Sequence, residues 1–287
     1  MPYTAAVPAI RPQTLRLAAL ALAAGLAWAP PGAADNAAAE AAYDLGEYRE
    51  AMTLWLIEAR DGDQIAQYNL ATLYRRGLGG APNPVAAARW YREAADQGHL
   101  ASQANLGRLY LAGEGVPRDP RQASEWFARA AGTGFAPAQY LLAEQLRAGD
   151  GVPGDLARAA ELYRAAAEQG SPESALRLAR MYRNGEGVAR DARESRKWVV
   201  RAAVAGLPEA QFALAELYLQ GGGEAPDPVR AYLWAGFAAR AGSDDAARLR
   251  ESLAERLTPA EQAEARRLAS EMRKAAEADE APEAGDP

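Results

Sequence analysis

The chain has 287 residues, no cysteine, a single histidine and a formal net charge of −6. The missing thiols exclude disulfides, thiolate–metal sites and cysteine nucleophiles, so packing must hold the fold together. The acidic balance argues against general binding to nucleic acid or to anionic membranes.

Residues 1–34 place Arg11 and Arg16 before an apolar run, Leu17 to Trp28, and end in a small-x-small pair, Gly32 and Ala34. This is the pattern of a signal peptide cleaved after Ala34, and the run is too short to span a membrane. Export is expected, to the periplasm or beyond. The leader carries two arginines and no acid, so residues 35–287 have a net charge of −8. An uncleaved anchor is the competing reading, disfavoured by the short apolar core.

From residue 64 the sequence repeats every 36 residues. Tyr74, Tyr110, Tyr182 and Tyr218 share one register, with Leu146 in the fourth place; Trp90, Trp126, Trp198 and Trp234 share another, with Leu162 as the exception. Glycines 77, 113, 149, 185 and 221 follow the first row, and glycines 98, 134, 170, 206 and 242 close the units. A fixed period of this length signals stacked supersecondary units. In the unit Ala101 to Gly134, helical spacing runs over 101–112 and 121–131. Gly107, Ala123, Ala130 and Ala131 allow close helix approach, and Tyr110, Trp126 and Phe127 are expected to be buried between neighbouring units. Gly113 and Gly115 suit a helix end and a tight return. Asp119-Pro120 reads as an N-cap followed by proline at the first helical position. Asn83-Pro84 and Asp227-Pro228 repeat that signal, while Asp155 and Asp191 keep the cap alone.

The unit before residue 64 is irregular. Ala51, Trp55, Ala59 and Gly62 keep the 36-residue register, but Tyr43 and Gly46 match Tyr74 and Gly77 only at an offset of 31, so a tight turn is expected at Leu45-Gly46-Glu47-Tyr48. Past Gly242 the period fades. Ala246, Leu249, Leu253 and Leu257 keep helical spacing, and Thr258-Pro259-Ala260-Glu261 gives a capping box before a charged helix reaching about Ala276, with Ala263, Leu268 and Met272 as its apolar positions. The last residues, 278–287, hold four acids, two prolines and no aromatic, and are expected to be disordered.

Signals of catalysis are poor. His99 lies in a turn and reads as a solvated residue; with no second histidine and no cysteine, a closed zinc site cannot be assembled. Glu144 and Glu216 are a carboxylate pair whose separation the sequence does not fix. Gly113-Glu114-Gly115 and Gly185-Glu186-Gly187 share only glycine content with phosphate loops. No S-x-x-K motif supplies a serine nucleophile. The expectation is no enzymatic activity, no cofactor and no metal.

The runs NLGRLYLAGEGVPRD (105–119) with ASEWFARAAGTG (123–134), and ARMYRNGEGVARD (179–191) with SRKWVVRAAVAG (195–206), resemble the Sel-one-like repeat, a relative of the tetratricopeptide repeat. The resemblance covers about residues 38–242, and it departs at Leu146, Leu162, Val199 and Ala235, where aromatics are usual. It implies an all-α fold, a right-handed α/α superhelical solenoid of about six helix–turn–helix repeats over residues 35–242. Residues 243–277 would form a C-terminal helical cap, and 278–287 the acidic tail. The function it implies is an exported protein-binding scaffold: an assembly adaptor in the envelope, or a periplasmic regulator holding the sensor domain of a membrane histidine kinase. Two other classes compete, a small-ligand hydrolase of the β-lactamase kind and a purely structural envelope protein.

In such repeats the first helix of each pair lines the concave face. Carried over, this gives a row of Tyr68, Ala104, Tyr140, Leu176 and Phe212, a second of Thr72, Arg108, Glu144, Arg180 and Glu216, and a third of Arg75, Leu111, Arg147, Arg183 and Leu219, with Arg76 beside it. The implied partner-binding groove is Tyr68, Arg75, Arg108, Tyr140, Arg147, Arg180, Arg183 and Phe212. Tyrosine and arginine are enriched at binding hot spots, and the expected partner is a protein or an extended acidic peptide segment, not nucleic acid and not a membrane. The competing reading makes the arginines solvated helix surface and the aromatic row partly core.

Overall fold

The computed structural model describes residues 33–221 and 225–280, with side chains described over 36–221 and 225–274. The expected signal peptide lies outside the described residues up to residue 32, as does the tail from 281. Every regular element described is a helix. They are α1 (Ala33–Asp44), α2 (Tyr48–Arg60), α3 (Gln64–Arg76), α4 (Pro84–Asp96), α5 (Leu100–Ala112), α6 (Pro120–Gly132), α7 (Ala136–Ala148), α8 (Leu156–Glu168), α9 (Pro172–Asn184), α10 (Ala192–Val204), α11 (Pro208–Gln220), α12 (Pro228–Arg240), α13 (Asp244–Arg256) and α14 (Pro259–Glu280). They form six sequential pairs followed by α13 and α14.

The chain divides into two compact units, Met1–Ala94 and Ala95–Pro287. In the first, the tight turn stands where the sequence puts it: Gly46 has φ 77° and its N–H donates to Tyr43 O at 3.0 Å. The turn brings the Tyr43 ring to 5.8 Å from that of Trp55.

In the second unit the long loop inside each pair has a backbone explanation. The N–H of the capping aspartate donates to the carbonyl of the tyrosine-row residue: Asp119 to Tyr110 at 2.9 Å, Asp155 to Leu146 at 3.0 Å, Asp191 to Tyr182 at 2.9 Å and Asp227 to Tyr218 at 2.8 Å. Because a main-chain carbonyl closes the loop, Leu146 serves as well as tyrosine. The same aspartates then cap the following helix; Asp119 accepts from Gln122 N at 3.1 Å, and that donor holds its carboxyl below the usual range. A loop glycine seats α7–α8 and α9–α10 on the pair before, Gly151 against Pro120 and Gly187 against Leu156. A Cβ on Gly187 would lie 2.2 Å from Leu156 O, at the start of α8, and its φ is +67°. Only a residue without a side chain permits both.

Small residues set the helix spacing. A Cβ on Gly107 would stand 2.4 Å from the Phe127 ring, and Phe127 is fully buried. Trp126 corrects the sequence expectation: Phe127 takes the inward site, and the indole is half-buried at the edge with the Arg129 guanidinium 4.4 Å from its ring centre. Trp198 and Trp234 are buried, as is Tyr110. A buried glutamine row is a feature the sequence reading missed. Gln103 and Gln211 donate to Ala95 O and Ala203 O, at 3.0 and 3.3 Å, satisfying carbonyls at the end of the preceding helix.

The C-terminal pair α13–α14 packs on α12. Its capping box forms, with Thr258 N donating to Glu261 Oε2 at 2.8 Å. Two details differ from expectation. Ala263 is exposed; the inward residues of α14 are Ala265, Leu268, Ala269 and Met272, which lie against Tyr232 and Leu233. The helix also continues to Glu280, past the expected boundaries near 276 and 277. Its outer face is laced by ion pairs such as Arg267–Glu264 at 2.6 Å.

Candidate functional site

The residues that matter lie on the first helices of successive pairs in the second unit, and on the second-helix side chain that rises between them. On α7, Glu144 meets three donors. The Tyr163 hydroxyl, from α8, donates to Glu144 Oε1, Arg147 Nη2 donates to Oε2 at 3.0 Å, and Arg177 Nε, from α9, pairs with Oε1 at 2.8 Å. The Tyr163 ring is fully buried and stands 6.0 Å from the Tyr140 ring. Burial pushes the Glu144 carboxyl up, but the tyrosine and the two arginines outweigh it and leave the group below its ordinary value. Burial and the Glu144 charge push the Tyr163 hydroxyl well above the usual tyrosine range, so it stays a donor. The Glu144 carboxylate is thus enclosed by one phenol and two guanidinium groups. Glu216, the other carboxylate the sequence singled out, lines a different site.

The next pair carries Val199 where α8 carries Tyr163. Above Val199, between α9 and α11, is an open cavity of about 470 Å³. Leu176, Val199 and Phe212 give it an apolar floor, Arg180 and Arg183 a basic wall, and Glu209, Glu216 and Asp245 an acidic one. A second cavity of about 290 Å³ adjoins it, sharing Leu176, Arg180 and Glu209, and extends to Tyr140 and Arg177. Arg180 and Arg183 are exposed, and among the described residues neither makes an ion pair.

Of the sequence-derived groove residues, these two cavities bring together Tyr140, Arg180, Arg183 and Phe212. Arg147 stands beside them but is occupied by Glu144. Arg108 is exposed on α5 and lines neither cavity. In the first unit, Tyr68 lines a cavity of about 390 Å³ with Trp55, Thr72 and Arg76, while Arg75 is exposed at the end of α3. There the Tyr91 ring packs 5.9 Å from Tyr68, and its hydroxyl lies 2.9 Å from Thr72 Oγ1. The residues missed from sequence are Tyr163, Arg177 and Glu209. Their signal was positional, because each needs the contact between successive pairs to acquire a role. His99, read as a solvated turn residue, is instead the half-buried N-cap of α5: its Nδ1 accepts from Ser102 N at 3.3 Å.

Among the described residues, no cluster of three or more His, Asp or Glu side chains could hold a metal ion, and no helix is long and apolar enough to cross a membrane.

Paired helices at a fixed period, joined by capped loops and presenting a lined face, define the α/α-repeat class. The Sel1 repeat model matches residues 64–99, 100–132, 136–171, 172–207 and 208–243, so the chain belongs to the Sel1 repeat family. The pair α1–α2 lies before the first matched repeat. Similar solved structures include two bacterial proteins. One is a protective antigen present in uropathogenic Escherichia coli strains displaying an SLR fold, 32% identical over 75% of this chain with a TM-score of 0.68. The match spans 47% of that protein, so this chain covers about half its length. The other is a Sel1 repeat protein from Oxalobacter formigenes, 30% identical, with a TM-score of 0.68, over 74% of this chain and 87% of that one. No curated protein matches significantly.

Proposed function

We propose that this protein is an exported, non-enzymatic scaffold that binds an extended, acidic segment of a partner protein across the face made by α7, α9 and α11. The observation that supports this most directly is the pair of adjoining cavities meeting at Arg180, with Tyr140 lining one and Phe212 the other. Unpaired arginines over an apolar floor favour a carboxylate with an apolar neighbour, and arginine can hold a carboxylate through two donors at once. An adaptor in envelope assembly and a holder of a sensor-kinase domain both fit this chemistry.

The test is capture of partners from envelope extract by the wild type and by Arg180→Glu/Arg183→Glu, at low and at moderate salt. The wild type should retain a partner that the double reversal loses, and added salt should weaken retention because exposed charges are screened over about 8–10 Å. A partner held equally by both proteins at both salts would remove this face from consideration. Turnover of a β-lactam or another small substrate above buffer controls would favour the hydrolase alternative. Export itself predicts a mature N-terminus at Asp35; a chain retaining residues 1–34 in the membrane fraction would contradict it.

A further inference from the structure

We infer that the cavity above Val199 is a socket for an aromatic side chain of the bound segment, with an acidic residue next to that aromatic reaching Arg180 and Arg183. The inference rests on the scaffold reading above and names the chemistry its partner must carry. The argument comes from two copies of one site, 36 residues apart in register. In the first copy, Tyr163 fills the space between α7 and α9, beside Tyr140, and its hydroxyl joins Glu144, Arg147 and Arg177. In the second copy the same positions are Val199, Leu176, Arg180, Arg183 and Ala213, and all five line the open cavity.

The two copies differ in what is missing. Valine in place of tyrosine removes the ring, and Arg180 in place of Glu144 removes the carboxylate, while the arginine at the Arg147 position persists as Arg183. At these positions the open copy therefore lacks the ring and the carboxylate of the filled one, and holds two arginines without an ion pair among the described residues, while its acids, Glu209, Glu216 and Asp245, stand at other positions. The filled copy shows what occupies such a space: an aromatic ring whose neighbour in the cluster is a carboxylate. A volume of about 470 Å³ accommodates a ring with part of its main chain. The adjoining cavity shares Leu176, Arg180 and Glu209 with it, which favours a segment running through rather than a chain end stopping there. The acidic residues on the far wall, Glu209, Glu216 and Asp245, repel a second acid on that side, so the segment's acid lies on the α9 side of its aromatic.

The experiment measures affinity of the full mature chain for short peptides blocked at both ends, with a central Tyr-Glu, Ala-Glu or Tyr-Gln, and for a fourth peptide ending in Tyr with a free carboxylate. Tyr-Glu should bind at least tenfold more tightly than either Ala-Glu or Tyr-Gln. Val199→Tyr restores the ring that other repeats carry at this register, so it should plug the socket and abolish that preference without lowering the melting temperature. If Val199→Tyr fails to fold, Arg180→Glu serves instead and should remove the preference for glutamate over glutamine. Equal binding of Tyr-Glu and Ala-Glu would overturn the socket; if the Arg180/Arg183 reversal still abolished partner capture, the scaffold reading would stand without it. Tighter binding of the free-carboxylate peptide than of Tyr-Glu would overturn the internal segment in favour of a chain end.

Discussion

Two neighbouring pairs, α7–α8 and α9–α10, are built on one plan and put to different ends. In α7–α8 the second helix sends Tyr163 into the gap before the next pair, where Glu144 and two arginines close round its hydroxyl. In α9–α10 the equivalent residue is Val199, the gap stays open at about 470 Å³, and the arginines are left facing it. The caps, the closing hydrogen bonds and the loop glycines are the same in both: Asp155 N to Leu146 O at 3.0 Å, Asp191 N to Tyr182 O at 2.9 Å. Scaffold and site are thus separable. Backbone-directed features recur in both pairs, and a side chain at one register decides whether the face between two pairs is core or cavity.

The largest expected effect breaks the filled copy. Tyr163→Ala should cost about 3–5 kcal/mol in a urea or thermal melt, the range for deleting a fully buried large aromatic, whereas Val199→Ala should cost about 1–2 kcal/mol because its surroundings are already open. Equal losses would mean that the two gaps are packed alike. Phe127→Ala should likewise fall in the 3–5 kcal/mol range and exceed Trp126→Ala by at least about 1 kcal/mol, since only the phenylalanine is fully buried against Gly107; the reverse order would move the indole into the core.

A smaller effect follows from protonation. The Glu144 carboxyl is depressed below its ordinary value of 4.5, so its contribution to stability is present above that pH and is lost as pH falls through the lower folded value. Glu144→Gln should therefore flatten the acid limb of the stability profile below about pH 4.5, and urea melts between pH 7 and 3 would check it. Identical acid limbs would show a carboxyl that titrates as though exposed. The smallest effect concerns the shared scaffold. Asp155→Ala and Asp191→Ala should each cost about 1 kcal/mol, as for loss of an N-cap, and should cost the same whether the adjoining gap is filled or open. Unequal losses would show that cap and cavity are coupled.

Local signals in the sequence specify the helices, their pairing and the ends of the repeat helices to within a residue or two, though not the end of α14. A 36-residue period, glycines at fixed places and Asp or Asn before each second helix of a long-loop pair are local signals, because caps and turns act through the backbone a few residues away. The Val199 departure was visible too, as a missing aromatic. The direction of side chains between successive pairs came from packing in the folded chain. That packing left Trp126 half-buried at the edge while Phe127 went in, and made Ala265 rather than Ala263 the contact of α14. It also sorted the arginines: one of the groove residues, Arg147, is bound to Glu144, while Arg180 and Arg183 line an open cavity. Phe127 against Gly107, and Tyr163 and Arg177 against Glu144, are contacts that no single helix contains, because each depends on what a neighbouring helix offers across a gap.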